Sequence, residues 1–221
     1  MNRSCPLLFA TALVSIGCPD ELCSQASVDW EFSDGAAGFT SETTDLDFDD
    51  PWGFDAPEDQ DCFSGEACWA TNPSGDYGDC RAGRLVSPVV DLSMCAGATA
   101  SVTLAFRHFF RFEDPSQSRY WDGGLVQIHD GTAWQDTNPS PDYTGDIEGN
   151  YSECERAPAM DGEEGWSGRM DDEGWELVRI PVPEALRTAQ FRAGWWFTSD
   201  RAAGDEGWYI DDVSVFVATD S

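Results

Sequence analysis

The chain has 221 residues, 42 acidic against 12 basic, for a formal net charge of -30. That charge repels a phosphate backbone, so nucleic-acid binding is excluded as a working function, and divalent cations or cationic partners stay open. The length and the 41% hydrophobic fraction suffice for one cored domain, and 10 Trp with 21 Gly fit a turn-rich, all-β chain better than a helical one.

Residues 1–18 read as an export signal. Arg3 supplies the positive charge, and residues 6–16 are apolar but far short of the roughly 20 residues needed to span a bilayer. VSIGC (14–18) resembles a bacterial lipobox with Cys18 as the lipidated residue, although Ser15 stands where Leu is usual. The expectation is a lipoprotein of the bacterial cell envelope, at the outer membrane or surface, touching membrane only through that anchor; plain secretion is the alternative. Cys5 and Cys18 belong to this segment. The remaining six of the eight cysteines, Cys23, Cys62, Cys68, Cys80, Cys95 and Cys154, form an even set that an exported chain would oxidise to disulfides of open pairing.

Residues 19–26 read as a polar tether, and residues 27–217 as the folded domain. SVDWEF (27–32) alternates and predicts the first strand. Residues 41–67 carry Asp45, Asp47, Asp49, Asp50, Asp55, Glu58, Asp59 and Asp61 without a period, so they read as a long acidic loop pinned by Cys62 and Cys68. Short strands follow at 68–72 and 84–92, the second interrupted by Pro88. Residues 100–112 predict the longest strand, with Val102, Leu104, Phe106, His108, Phe110 and Phe112 on one face. His108 on that apolar face reads as a core or rim histidine.

A loop at 113–124 leads to a strand at 125–129, an Asp130-Gly131 hairpin turn and a return through Trp134. Residues 136–174 form a second long loop containing Cys154. Strands at 175–182 and 190–198 precede the closing stretch GWYIDDVSVF (207–216), in which Asp211 and Asp212 stand side by side. Altogether about nine antiparallel strands with long acidic loops predict a β-sandwich or jelly roll.

A half-buried strand has little use for adjacent carboxylates unless they are hydrogen-bonded or bound to a cation. Calcium takes oxygen ligands of this kind. If the first and last strands pair, Glu31, Glu113, Asp122, Asp200, Asp211 and Asp212 are the candidates for a structural calcium. Trp121, Trp134 and Trp166 are the candidates for stacking on a ligand such as a sugar. No zinc, serine-nucleophile or phosphate-loop motif is present. An acidic-residue hydrolase would need two opposed carboxylates in a cleft.

The succession SGEACWATNPSGDY (64–77), RLVSPVVDL (84–92), LAFRHFFRFED (104–114), DGGLVQIHDGTAW (122–134), GWSG (165–168) and FTSDRAAGDEGWYIDDVSV (197–215) resembles the MAM-like β-sandwich domain attached to immune inhibitor A-type secreted bacterial metalloproteases. The resemblance implies a non-catalytic jelly-roll module, similar to MAM and carbohydrate-binding sandwiches, that often holds a structural calcium; the acidic positions just named are the ones that match. The functional expectation is a surface binding or adhesion module for a glycan or protein ligand. A lectin-like carbohydrate-binding module and an acidic-residue hydrolase are the alternatives.

Overall fold

A computed structural model describes residues 19–43, 50–115, 119–148, 154, 160, 162–170 and 174–218. The export segment with Cys18, and Asp45, Asp47 and Asp49, lie outside the described residues. Thirteen strands occur among those described: β1 (Val28–Trp30), β2 (Thr40–Thr43), β3 (Trp52–Asp55), β4 (Cys68–Thr71), β5 (Ala82–Val86), β6 (Ser101–Arg111), β7 (Gly123–His129), β8 (Trp134–Asp136), β9 (Gly145–Ile147), β10 (Glu163–Gly165), β11 (Glu176–Pro181), β12 (Arg192–Thr198) and β13 (Gly207–Ala218). One large sheet runs β11-β6-β13-β4-β3, with β1 also on β13; the other runs β2-β5-β12-β7-β8, and β9 and β10 pair as a separate two-stranded sheet. All strand pairs are antiparallel, as the alternating patterns predict.

The two long strands β6 and β13 form the spine, paired from Gly207↔Arg111 to Ala218↔Ser101. Their inward residues Phe106, Phe110, Trp208, Ile210, Val213 and Val215 share one core with Trp195 and Phe197 of β12 and Val126 and Ile128 of β7. Each large side chain buried this way contributes about 1.5–3 kcal/mol relative to exposure. His108 lies in the middle of this core, fully buried, and Trp208 Nε1–H donates to its Nδ1 at 3.3 Å. Burial holds its pKa below the ordinary value, so it is kept neutral.

The register shifts by one residue between Asp211 and Ser214, and Asp212 there has φ 44°. This is a β-bulge, which resets the alternation so that Ile210 and Val213 both point into the core. The bulge is also where β13 exchanges one edge partner, β4 at Tyr209 and Ile210, for another, β1 from Val213 to Val215. First and last strands therefore pair.

Several expectations change. The acidic loop contains most of β2 and all of β3, and the second long loop contains the antiparallel pair β9–β10. These are strands of three or four residues, too short to show a period, and their neighbours' backbone groups hold them. The tether is a docked helix, α1 (Pro19–Ser24). Asp20 accepts the N–H groups of Thr99 and Ala100, and Cys23 is bonded to Cys95. The other disulfides are Cys62–Cys68 and Cys80–Cys154, so all six cysteines are oxidised. Trp166 is 2% exposed and packs against His108, Phe106 and Trp208; it belongs to the core rather than to a ligand-facing surface.

Candidate metal centre

Three of the predicted acids meet at one end of the sandwich. Glu113 follows β6 by two residues, Asp122 immediately precedes β7, and Asp200 follows β12 by two residues. Antiparallel order puts the end of β12 beside the start of β7, and the end of β6 in the facing sheet delivers the third carboxylate. One oxygen from each of Glu113, Asp122 and Asp200 lies within 4.8 Å of the others.

Asp122 is the centre of this group and is fully buried. Its Oδ2 accepts the Tyr77 hydroxyl at 2.7 Å, and its Oδ1 accepts the Asp200 backbone N–H at 2.7 Å. Tyr77 in turn accepts the Glu113 backbone N–H at 2.9 Å, so one phenol ties the strand ends together. The Ser167 hydroxyl donates to the Asp122 carbonyl. Burial raises the Asp122 pKa to about 7; the hydrogen bonds from Tyr77 and Asp200 oppose that rise, and the charges of Asp200 and Glu113 add to it. Burial also raises Glu113, followed by the charges of Asp200 and Asp114. Burial and then Asp122 push the Tyr77 pKa far upward, so the phenol stays neutral and serves as a donor.

The residues present fit a hard divalent cation. Every side-chain donor is a carboxylate oxygen, and Glu113 Oε2 is enclosed with no hydrogen-bond partner. Three carboxylates this close repel one another unless a proton or a cation intervenes. Calcium completes its usual shell of about six to eight oxygens from such carboxylates together with carbonyls and water.

The other three predicted ligands lie elsewhere. Asp211, fully buried, accepts the Ser64 N–H at 2.9 Å and the Asp212 N–H at 2.8 Å, and Asp212 accepts the Ser64 hydroxyl at 2.7 Å. Burial raises the Asp211 pKa to about 6 against these hydrogen bonds. The Cys62 and Cys68 sulfurs near Asp211 are joined to each other, so neither is a thiolate ligand. The two aspartates instead hold the loop between those cysteines. Glu31 follows β1 on the surface; its carbonyl oxygen, not its carboxylate, accepts from Ser64 at 3.4 Å.

Trp121 and Trp134 are half-buried. The Arg119 guanidinium is 5.8 Å from the Trp121 ring. Trp134 reaches across its sheet to Gly194, where a Cβ would come within 2.6 Å of the ring, and Arg84 and Arg192 stand 4.3 and 5.9 Å from the ring centroid. Tyr77 and Ser64 carry no sequence signal beyond their turns, so sequence reasoning does not single them out. The three converging acids do share one, each standing within two residues of a strand end.

No family model matches the chain, and no curated protein does. Among solved structures, the chain is similar to the K2 cleaved adhesin domain of Lys-gingipain, at 12% identity and a TM-score of 0.49, over 86% of this chain and 98% of that one. It is similar to the K1 cleaved adhesin domain of Lys-gingipain from Porphyromonas gingivalis W83, at 10% identity and 0.48, over 87% and 99%. A structure of promiscuous carbohydrate-binding modules from the β-sandwich superfamily follows at 12% and 0.41, over 84% and 60%. Likenesses this distant carry no functional argument; the β-sandwich stands on the strand topology itself.

Proposed function

We propose that the chain is an exported, non-catalytic, MAM-like binding or adhesion module of the cell surface, with a surface glycan or protein as ligand and a calcium ion organising one end of its sandwich. The observation that carries the reading is the meeting of Glu113, Asp122 and Asp200 around a fully buried carboxylate. A cation held there would tie the ends of β6, β7 and β12 together and fix the loops between them, and binding residues concentrate on loops held by a rigid scaffold. Three disulfides support an oxidising, extracytoplasmic setting.

The test is calorimetric titration of chelator-treated protein with calcium. One ion per chain is expected, with Asp200→Asn weakening it by at least about tenfold, or 1.4 kcal/mol. Heats no larger than dilution would end the calcium reading. Lipid anchoring at Cys18 is part of the same proposal. Cys18→Ala is expected to move the protein from the membrane to the soluble fraction of its host, and a wild-type chain already found soluble rules the anchor out.

A further inference from the structure

The Asp211-Asp212 bulge and the Cys62–Cys68 loop have no part in the carboxylate cluster, yet together they hold an aromatic ring out of the protein. Phe63, directly after Cys62 in that loop, is 43% exposed. A disulfide closes the loop, and Asp211 and Asp212 grip Ser64 beside the ring. The Trp175 indole N–H donates to the Asp61 carbonyl at the loop's base, with its ring 6.2 Å from Phe63. The Arg107 guanidinium sits 4.4 Å over Phe63. A large apolar side chain fixed in place while still exposed has the character of an interface anchor, because little conformational entropy remains to be lost on binding.

Beside Phe63 lies a groove of about 240 Å³, lined by Asp29, Trp30, Glu31, Arg107 and Asp212, with Leu177 and Ser214 among its other contacts. That volume falls below the roughly 300–1,000 Å³ of small-molecule sites, so the groove suits a side chain rather than a whole ligand. Three carboxylates line it against one guanidinium, which Phe63 already covers. The Phe63 ring flanks the same space, while Trp30 turns its own ring inward against Phe39. Carboxylates beside an aromatic ring receive a cation on an aliphatic stem, the head pairing and the stem lying on the ring. The net charge of -30 steers cationic partners toward the molecule from a distance.

We propose that this groove docks an arginine- or lysine-bearing segment of a partner polypeptide, with the basic head among Asp29, Glu31 and Asp212 and the partner's backbone passing over Phe63. The proposal rests on the reading of the chain as a binding module and names its partner.

The test uses the oxidised, calcium-loaded full chain and a fluorescent peptide of alternating arginine and glycine, with the citrulline peptide as its uncharged counterpart. Saturable binding of the arginine peptide alone is expected. The exposed pair Asp29→Asn/Glu31→Gln, and separately Phe63→Ala, are each expected to weaken it by about tenfold or more. Asp146→Asn/Glu164→Gln on the β9–β10 pair removes the same two charges from another exposed surface and is expected to change affinity less than about twofold, since distant sites act independently. Equal weakening by the β9–β10 variant would reduce the binding to general charge attraction and overturn the site. Equal binding of the citrulline peptide, or none of either, also overturns it. Since calcium uptake is measured without any peptide, a failure here leaves the module reading standing, whereas a failure of calcium uptake strikes that reading directly.

Discussion

Replacing Cys23 and Cys95 together by alanine is expected to lower the stability of the folded chain by about 4 kcal/mol, a loss matched among the three bridges only by Cys80–Cys154, which closes a separation of 74 residues. The Cys23–Cys95 bridge closes a separation of 72 residues, and chain entropy released to the unfolded state grows with the logarithm of that length. Both sulfurs are fully buried, so their removal also leaves an unfilled space under α1. The Cys62–Cys68 pair closes a separation of only 6 residues, and its removal is expected to cost about 2 kcal/mol by the same relation. Denaturant midpoints of the two double variants, converted with their own slopes, make the comparison. Equal losses would show that constraint of the unfolded chain is not the main contribution of the longer bridge. Detachment of α1 adds a structural readout: once the bridge is gone, the helix loses its covalent tie and keeps the Asp20 contacts to Thr99 and Ala100, and its amide protons should exchange earlier.

How far the fold could be read from residue order depended on strand length. The alternation of Val102, Leu104, Phe106, His108, Phe110 and Phe112 marks β6 because its eleven residues carry several full periods. The Trp52 and Phe54 alternation of β3 spans four residues inside an acidic run, and four residues cannot outweigh that composition. The acids divided in a similar way. Glu113, Asp122 and Asp200 could be named as strand-end carboxylates, but their meeting depends on β7 lying beside β12 and β6 lying in the facing sheet, an order set by packing over long sequence distances. The Asp211-Asp212 pair stands out in the sequence as two carboxylates in an apolar strand. Its purpose was hidden because it depends on a bulge that re-aims both side chains and on a loop 147 residues away. Tyr77 and Trp166 show the converse limit. Aromatics in turns and loops look available for ligands, whereas here one phenol links the acids and one indole fills the core around His108.

Calcium is expected to stabilise the protein more as pH rises from about 5 to about 7, and Asp122 is expected to set that slope. With its folded pKa raised from 3.8 to about 7, Asp122 takes up a proton in the folded chain before the unfolded chain does. In calcium-free protein its contribution is therefore fully present below pH 3.8 and is lost as pH rises through about 7. At about 1.4 kcal/mol per pH unit, the loss across that window is of the order of 4 kcal/mol. Asp211, raised to about 6, acts in the same direction over a narrower window. His108 acts oppositely: its folded pKa is depressed, so its contribution is present above the ordinary 6.5 and is lost as pH falls below it. These two backgrounds remain in an Asp122→Asn variant, so subtracting that variant's melting curves isolates Asp122. In chelator at pH 8 the variant should melt above wild type, because a buried charge beside two carboxylates has been removed. In calcium the order should reverse, because the amide cannot replace the charged ligand and only the folded wild type gains from binding. A wild-type calcium gain that is the same at pH 5 and pH 7.5, or that survives Asp122→Asn, would take the cation away from this cluster.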